Sequence, residues 1–179
     1  MIIALDPGKQ CLGWSATIAG KLTACGLLRT QQPDLGGIVA DYWEQLQPSV
    51  PIKPRIVVVE RMSHYPNARR TPAAMHATVA DLLDLTAVSA ALAGRLCPGQ
   101  WRFASPAEWK GQTPKEIHNK RVLAALTAEE KIAFEADINL VPQSLRHNVI
   151  DAVGLNLWAV GRMRARKETQ TLWAVKKSA

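Results

Sequence analysis

The sequence predicts an α/β fold in which a mixed β-sheet is covered by helices. Two short apolar runs, residues 2–5 and 56–59, are typical of strands buried inside a sheet. The expected element order is strand, hairpin, helix, strand, helix, strand and further helices. Strands joined through a helix are expected to pair parallel, and the strands of the hairpin antiparallel. With 179 residues there is room for one domain of ordinary size. We therefore expect a five-stranded mixed sheet with an N-terminal antiparallel hairpin, flanked by helices.

The N-terminal third of the chain supplies the hairpin and the first helix. Two strands over residues 12–19 and 22–28 are joined at Gly20, which suits a tight turn. An apolar face with helical spacing then predicts a helix that stops before Pro48. Its members are Ile38, Val39, Tyr42, Trp43 and Leu46. The second buried strand ends on Glu60.

The rest of the chain is expected to be mostly helical. An Ala-rich helix over 73–93 would be closed by Gly94 at its C-cap. The next predicted elements are a strand at 101–104 and a basic connection over 110–121, which leads into a helix through about 126. A helical turn at 129–136 follows. The last helix should run from near Ser144 past Gly161, buried on nearly every side. We assign residues 1–167 to a single domain and 168–179 to a basic tail.

Composition and charge narrow the class of protein. The formal net charge is +7 and the pI about 9.6, which favours a polyanionic partner, although a solvated basic surface is the alternative. Cys11, Cys25 and Cys97 lack the short paired spacings of a disulfide framework or zinc site. No apolar stretch resembles a secretory signal or a membrane span. We expect a cytoplasmic protein with no membrane association and no small-molecule cofactor.

Three carboxylates are candidates for a common site. Asp6 and Glu60 each follow directly on a buried strand, and parallel strands bring their carboxyl ends to one edge of the sheet. Asp151 lies in an almost wholly apolar helix, where an unpaired carboxylate is costly. Alternatives exist for each residue: a turn role for Asp6, a surface acid for Glu60, and a buried pairing with Arg or His for Asp151.

Such a cluster of acids predicts a metal site. Carboxylates crowded together repel each other unless a cation neutralises them. Hard oxygen ligands favour Mg²⁺, and two such ions a few ångströms apart can activate water and stabilise a leaving oxygen in phosphodiester hydrolysis. We expect two Mg²⁺ ions per site, with Mn²⁺ as a substitute.

At these residues the sequence resembles the RuvC-type Holliday-junction resolvases of the ribonuclease H-like superfamily, in the form found in phages and prophages. The resemblance covers residues 2–165 in order and spacing. It is carried by "IIALDPGKQCLGW" with Asp6, "IVVVERM" with Glu60 and "LRHNVIDAVGLNLWA" with Asp151. The resemblance implies a ribonuclease H-like nuclease fold and a homodimer that acts on branched DNA.

The resemblance also implies a fourth metal-site residue, Asp or His, three positions before the last Asp. Asn148 stands there in this chain, and His147 is one step earlier, at i, i+4 from Asp151. Either His147 or Asn148 would complete the set. A lysine near the fifth strand would contact the scissile phosphate. Lys110 matches that place, and Lys115 and Lys120 are either second candidates or solvated lysines.

The loop after Glu60 is the expected DNA-binding segment. It mixes basic and aromatic side chains that suit phosphates and unstacked bases, although an ordinary solvated loop is the alternative. The residues are Arg61, His64, Tyr65, Arg69 and Arg70. The helix that follows would serve as both core and homodimer surface. Trp109 is expected to pack in the core, with stacking on DNA as the alternative.

Together these features predict a Mg²⁺-dependent endodeoxyribonuclease that resolves four-way or other branched DNA by symmetric nicking. Two alternatives stay open. One is another ribonuclease H-like processing nuclease that acts on RNA or flap DNA, and the other is a catalytically silent nucleic-acid-binding module.

Overall fold

The computed structural model describes residues 1–8, 10–61, 79–96, 98–111 and 113–164. Its strands are β1 (Ile2–Pro7), β2 (Cys11–Ile18), β3 (Lys21–Arg29), β4 (Ile56–Glu60) and β5 (Gln100–Ala104). Its helices are α1 (Leu35–Leu46), α2 (Val79–Leu96), α3 (Pro106–Trp109), α4 (Lys115–Ala125), α5 (Ala128–Ile138) and α6 (Arg146–Ala159). Short 3₁₀ helices span Gln47–Ser49 and Gln143–Leu145.

The five strands form one mixed sheet in the order β3-β2-β1-β4-β5. Strand β2 pairs antiparallel with both β1 and β3, while β4 pairs parallel with β1 and β5. The hairpin turns at Ala19 and Gly20, both with positive φ, where glycine is favoured. The predicted fold class, a mixed five-stranded sheet with an N-terminal hairpin and flanking helices, is confirmed.

Helices pack on both faces of the sheet. Successive side chains of a strand point to opposite faces, so each central strand contributes to both packing layers. On one face Ile3 and Leu5 of β1 belong to a core cluster with residues of α1 and α2. On the other face Ala4 packs with Val58 of β4 and Leu155 of α6. The central strands are therefore buried on both sides, as their continuous apolar runs predict.

Helix α6 packs directly on β2, and buried polar side chains form hydrogen bonds between the two elements. Ser15 Oγ donates to the Ala152 carbonyl oxygen over 2.8 Å, and Thr17 Oγ1 donates to Asn156 Oδ1 over 2.9 Å. The approach is so close that a Cβ on Gly13 would lie 2.2 Å from the Asn148 carbonyl oxygen. This contact fixes where α6 places Asp151 relative to the sheet.

The edge strand β3 is covered by α5. Glu130 Oε1 accepts a hydrogen bond from the Leu22 backbone N–H over 2.7 Å, and Asp137 Oδ2 accepts one from the Cys25 N–H over 3.0 Å. Arg162, just beyond α6, donates to Glu130 Oε2 over 2.7 Å. Acidic side chains of one helix thus satisfy backbone groups that the edge of the sheet leaves unpaired.

Several predicted boundaries were wrong. Helix α2 continues through Gly94 to Leu96, because Gly94 is not in the positive-φ conformation that a glycine C-cap takes. Helix α6 begins at Arg146, after a 3₁₀ turn that contains Ser144, and ends at Ala159 instead of passing Gly161, whose φ is +80°. Helix α5 is longer than the predicted turn.

Other predictions fall partly outside the described residues. They include the start of the Ala-rich helix at 73–78, Cys97 and the tail over 168–179. Among the helices that the structure describes, none has the length and apolar character needed to cross a membrane.

Candidate active site at the carboxyl ends of the parallel strands

The parallel pairing of β1 with β4 brings the first two acids together. Leu5 is in register with Val59, so the next residues, Asp6 and Glu60, leave the two strands at the same edge. Each side chain is partly buried. Strand β1 ends at Pro7 because the chain turns at Gly8, whose N–H donates to the Cys11 carbonyl oxygen over 2.8 Å.

Lys110 links the second acid to the third. Its Nζ lies 3.5 Å from Glu60 Oε2 and 3.4 Å from Asp151 Oδ2. Lys110 is the C-cap residue of α3, the short helix after β5, while Asp151 belongs to α6. Elements far apart in the chain thus meet at one point beside the sheet edge.

The electrostatics of the acids reflect this crowding. Burial, followed by the charges of Glu60 and Asp151, raises the pKa of Asp6 well above its usual value, although Lys110 opposes the shift. Burial also raises the pKa of Glu60, against the lowering effect of Lys110. The three carboxyls therefore lie close enough to affect one another's charge.

Lys110 is held as a cation. Burial by itself would lower its pKa, but Glu60, Asp151 and Asp6 outweigh this effect and raise it. Its Nζ also lies 4.8 Å from the centroid of the Trp109 ring, within the range of a cation–π contact. Trp109 is fully buried, as predicted for a core residue.

His118 is a site residue that the sequence did not reveal. Its ring is 1% exposed and edge-on to Trp109, with 4.9 Å between ring centroids. Nε2 lies 3.5 Å from Asp151 Oδ1, and burial lowers the pKa of the imidazole despite that carboxylate. The i, i+4 spacing to the buried Val122 marks an inward face of α4. That spacing was a usable signal within a segment predicted only as a basic connection.

The two candidates for a fourth ligand differ in position. Asn148 Nδ2 donates to Cys11 Sγ over 3.1 Å, so its amide group is turned toward β2. His147 is partly exposed, and within the described part of the chain no hydrogen bond or ion pair joins it to Asp6, Glu60 or Asp151. The role of either residue as a ligand stays a prediction.

The predicted DNA-binding residues are only partly described. Arg61 follows β4 directly and is exposed, with its backbone N–H bonded to the Ala104 carbonyl oxygen. Lys115 begins α4, and Lys120 lies further along the same helix; both are exposed. The other predicted residues lie outside the described part of the chain: His64, Tyr65, Arg69 and Arg70.

The donor chemistry of the site fits a divalent cation. Asp6, Glu60 and Asp151 offer hard carboxylate oxygens, and Glu60 Oε2 is buried without a hydrogen bond. As the side chains stand, however, no three His, Cys, Asp or Glu residues among those described are arranged to hold a metal ion. The ammonium of Lys110 lies between two of the carboxylates instead.

Comparisons with known proteins give structural similarities only. No protein-family model matches the chain, and no curated protein matches it significantly. Among solved structures, it is similar to Thermus thermophilus RuvC in complex with a Holliday junction substrate, at 17% identity and a TM-score of 0.48. It is also similar to a second Thermus thermophilus RuvC structure, at 17% identity and a TM-score of 0.47. Each alignment covers 91% of this chain and 98% of the other. Similarities at this level leave the function to be argued from the site's own residues.

Proposed function

We propose that this protein is a metal-dependent endonuclease that cuts four-way or otherwise branched DNA as a homodimer. The observation that carries the proposal is the meeting of Asp6, Glu60 and Asp151 with Lys110 at the carboxyl ends of the parallel strands. Three acids beside one edge of the sheet, two of them with raised pKa values, are costly to the fold and typical of a functional site.

In this proposal the three acids hold two Mg²⁺ ions, with Mn²⁺ as a substitute and His147 or Asn148 as a fourth ligand. When bound, the ions would supply activation of a water nucleophile and stabilisation of the departing 3′ oxygen. The carboxylates on β1 and β4 are positioned by the sheet, and the third is positioned by α6. Lys110 would offset the charge that develops on the scissile phosphate.

The basic side chains around this edge support a nucleic-acid substrate. Arg61 leaves β4 directly after Glu60, and Lys115 lies close enough to lower the pKa of Asp6. With a net charge of +7, the chain would attract a phosphate backbone. The predicted contacts of Lys120 and of the loop after Glu60 with the junction belong to the same proposal.

A homodimer would place two such sites on opposed strands of a junction and produce symmetric nicks. Helix α2 supports this part of the proposal, because it packs one face on the core and leaves Val79 and Leu83 each 65% exposed. Exposed aliphatic side chains on one helix suit a self-complementary interface.

The test is a cleavage comparison at matched salt with Mg²⁺ present. The substrates are a synthetic four-way junction, the corresponding linear duplex, a flap and an RNA–DNA hybrid. We expect the junction to be cut fastest. Equal cutting of junction and duplex would contradict the proposal, and preference for the flap or the hybrid would favour a processing nuclease. Binding of the junction without any cutting would favour a silent binding module.

A further inference from the structure

The ammonium of Lys110 lies between two of the three carboxylates of the candidate site. Its Nζ lies 3.5 Å from Glu60 Oε2 and 3.4 Å from Asp151 Oδ2, and the side chain is only 22% exposed. Two carboxylates that converge on a single cation form the basic unit of a carboxylate metal site. Here the cation between Glu60 and Asp151 is the ammonium of Lys110.

We propose that Lys110 is a displaceable internal cation, which holds Glu60 and Asp151 together in the metal-free protein and competes with divalent metal for them. A lysine ammonium and a divalent ion repel each other strongly at contact distance, so both cannot lie between the same two oxygens. Metal binding would therefore require the ammonium to move.

The surroundings of Lys110 allow that movement. The ammonium faces the Trp109 ring at 4.8 Å, which offers it a second stabilising contact. Trp109 itself is fully buried and packed against His118, so the ring is a fixed surface. The lysine stem has four rotatable bonds and can shift its charge without a change in the backbone.

A displaced ammonium would then be available to the scissile phosphate. Metal binding and substrate binding would become coupled, because the ion releases the group that contacts the DNA. This inference rests on the proposed function, and it adds that Lys110 acts before the substrate arrives as well as during cutting.

The test is Mn²⁺ binding to the protein without DNA, measured by isothermal titration calorimetry and by the metal-induced rise in Tm. We expect Lys110→Met to bind Mn²⁺ about tenfold more tightly than the wild type, since the competing charge is gone. Lys110→Arg should bind it more weakly, because a guanidinium can bridge two carboxylates through its fork of donors.

Lys115→Met is the matched control. Lys115 also acts on Asp6 electrostatically, but it is exposed, so its removal tests the effect of net charge alone. We expect less than about a twofold change in affinity, as for a screened surface charge. An equal gain in Lys115→Met and Lys110→Met would overturn the inference, and so would unchanged affinity in Lys110→Met. Should Lys110→Met not fold, Lys110→Arg decides: affinity equal to that of the wild type contradicts the inference.

Failure of this inference can be told apart from failure of the proposed function. A wild-type protein that binds Mn²⁺ and cuts junctions, with affinity insensitive to Lys110, would contradict only the role of the lysine. A wild-type protein that neither binds Mn²⁺ nor cuts any nucleic acid would contradict the proposed function itself.

Discussion

Asp6 is a residue whose charge the fold tolerates poorly. Burial and the charges of Glu60 and Asp151 raise its pKa, and Lys110 and Lys115 only partly compensate. The folded state therefore binds this proton more tightly than the unfolded state does. The contribution of Asp6 to stability must fall as pH rises from its unfolded pKa through its folded pKa.

The metal-free variant Asp6→Asn should accordingly be more stable than the wild type at pH 8. The reason is that asparagine removes a carboxylate from a repelling group while keeping its size. The gain in Tm should shrink toward pH 4, where the unfolded carboxyl also becomes protonated. Thermal unfolding across this pH range in chelator checks the prediction. A lower Tm for Asp6→Asn than for the wild type at pH 8 would contradict the idea that the charge of Asp6 destabilises the metal-free fold.

At the same scale, the sequence predicts some site residues and misses others for a physical reason. Asp6 and Glu60 can be predicted because each ends a strongly apolar strand, and Asp151 because a carboxylate interrupts an apolar helix. His118 meets Asp151 only through tertiary packing of α4 on α6. Neither local composition nor the motif around Asp151 indicates which histidine lies beside it.

At the scale of the elements, the placement of Asp151 depends on how closely α6 approaches β2. The hydrogen bonds of Ser15 and Thr17 with α6 join residues 137 and 139 positions apart. The sequence predicts that both elements exist, since each has its own apolar pattern. It does not predict their separation, because Gly13 acquires its role only from the helix that packs on it.

Gly13→Ala should therefore disrupt the site through the fold. Its Cβ would meet the Asn148 carbonyl oxygen at 2.2 Å, and the helix must shift at a cost of about 3 kcal/mol. Gly94→Ala is the control, since a Cβ there meets nothing within 4 Å and should add about 0.5–1 kcal/mol of helix stability. Urea unfolding of both variants checks the pair, and similar stabilities for the two would contradict the predicted close packing.

The contact between α5 and the end of α6 predicts acid sensitivity. Hydrogen bonds from Arg162, with further help from the backbone, lower the pKa of Glu130 to about 2. Because the folded pKa lies below the unfolded one, this stabilisation is present above the ordinary glutamate pKa and is lost as pH falls toward about 2.

Glu130→Gln should cost about 3 kcal/mol at pH 7, since it breaks a buried ion pair. The difference from the wild type should become smaller as pH falls through 4 toward 2. The matched control is Glu129→Gln, whose exposed pair with Lys21 spans 3.6 Å and should contribute little. Chemical denaturation at several pH values is the measurement, and a difference that does not depend on pH would refute the ion-pair explanation.

At the scale of the whole molecule, the element order and the mixed character of the sheet could be predicted more reliably than helix ends. Buried strands, a glycine turn and helical periodicity are local signals, and crossover rules then limit the topology. The ends of α2 and α6 depend on packing and on where the chain next turns, so both were misplaced by a few residues. The covering of the β3 edge by α5 is likewise set by contacts between distant residues.

The proposed homodimer is also a property of the whole molecule. Leu83→Glu should convert a dimer into a folded monomer, because Leu83 is 65% exposed in the single chain and a charge would be buried in the interface. Leu140→Glu is the control, since Leu140 is 86% exposed and lies beyond α5. Sedimentation analysis distinguishes the two, and a dimer that survives Leu83→Glu would exclude α2 as the interface.

The most direct measurement is Mg²⁺-dependent cleavage of a four-way junction, with the products mapped on all strands and junction binding measured in parallel. The wild type should cut two opposed strands at symmetric positions, and only when Mg²⁺ is present. Asp6→Asn should bind the junction while cutting at least about a thousandfold more slowly. Undiminished cutting by Asp6→Asn, or cutting by the wild type in chelator, would contradict the assignment of Asp6, Glu60 and Asp151 as the metal-dependent active site.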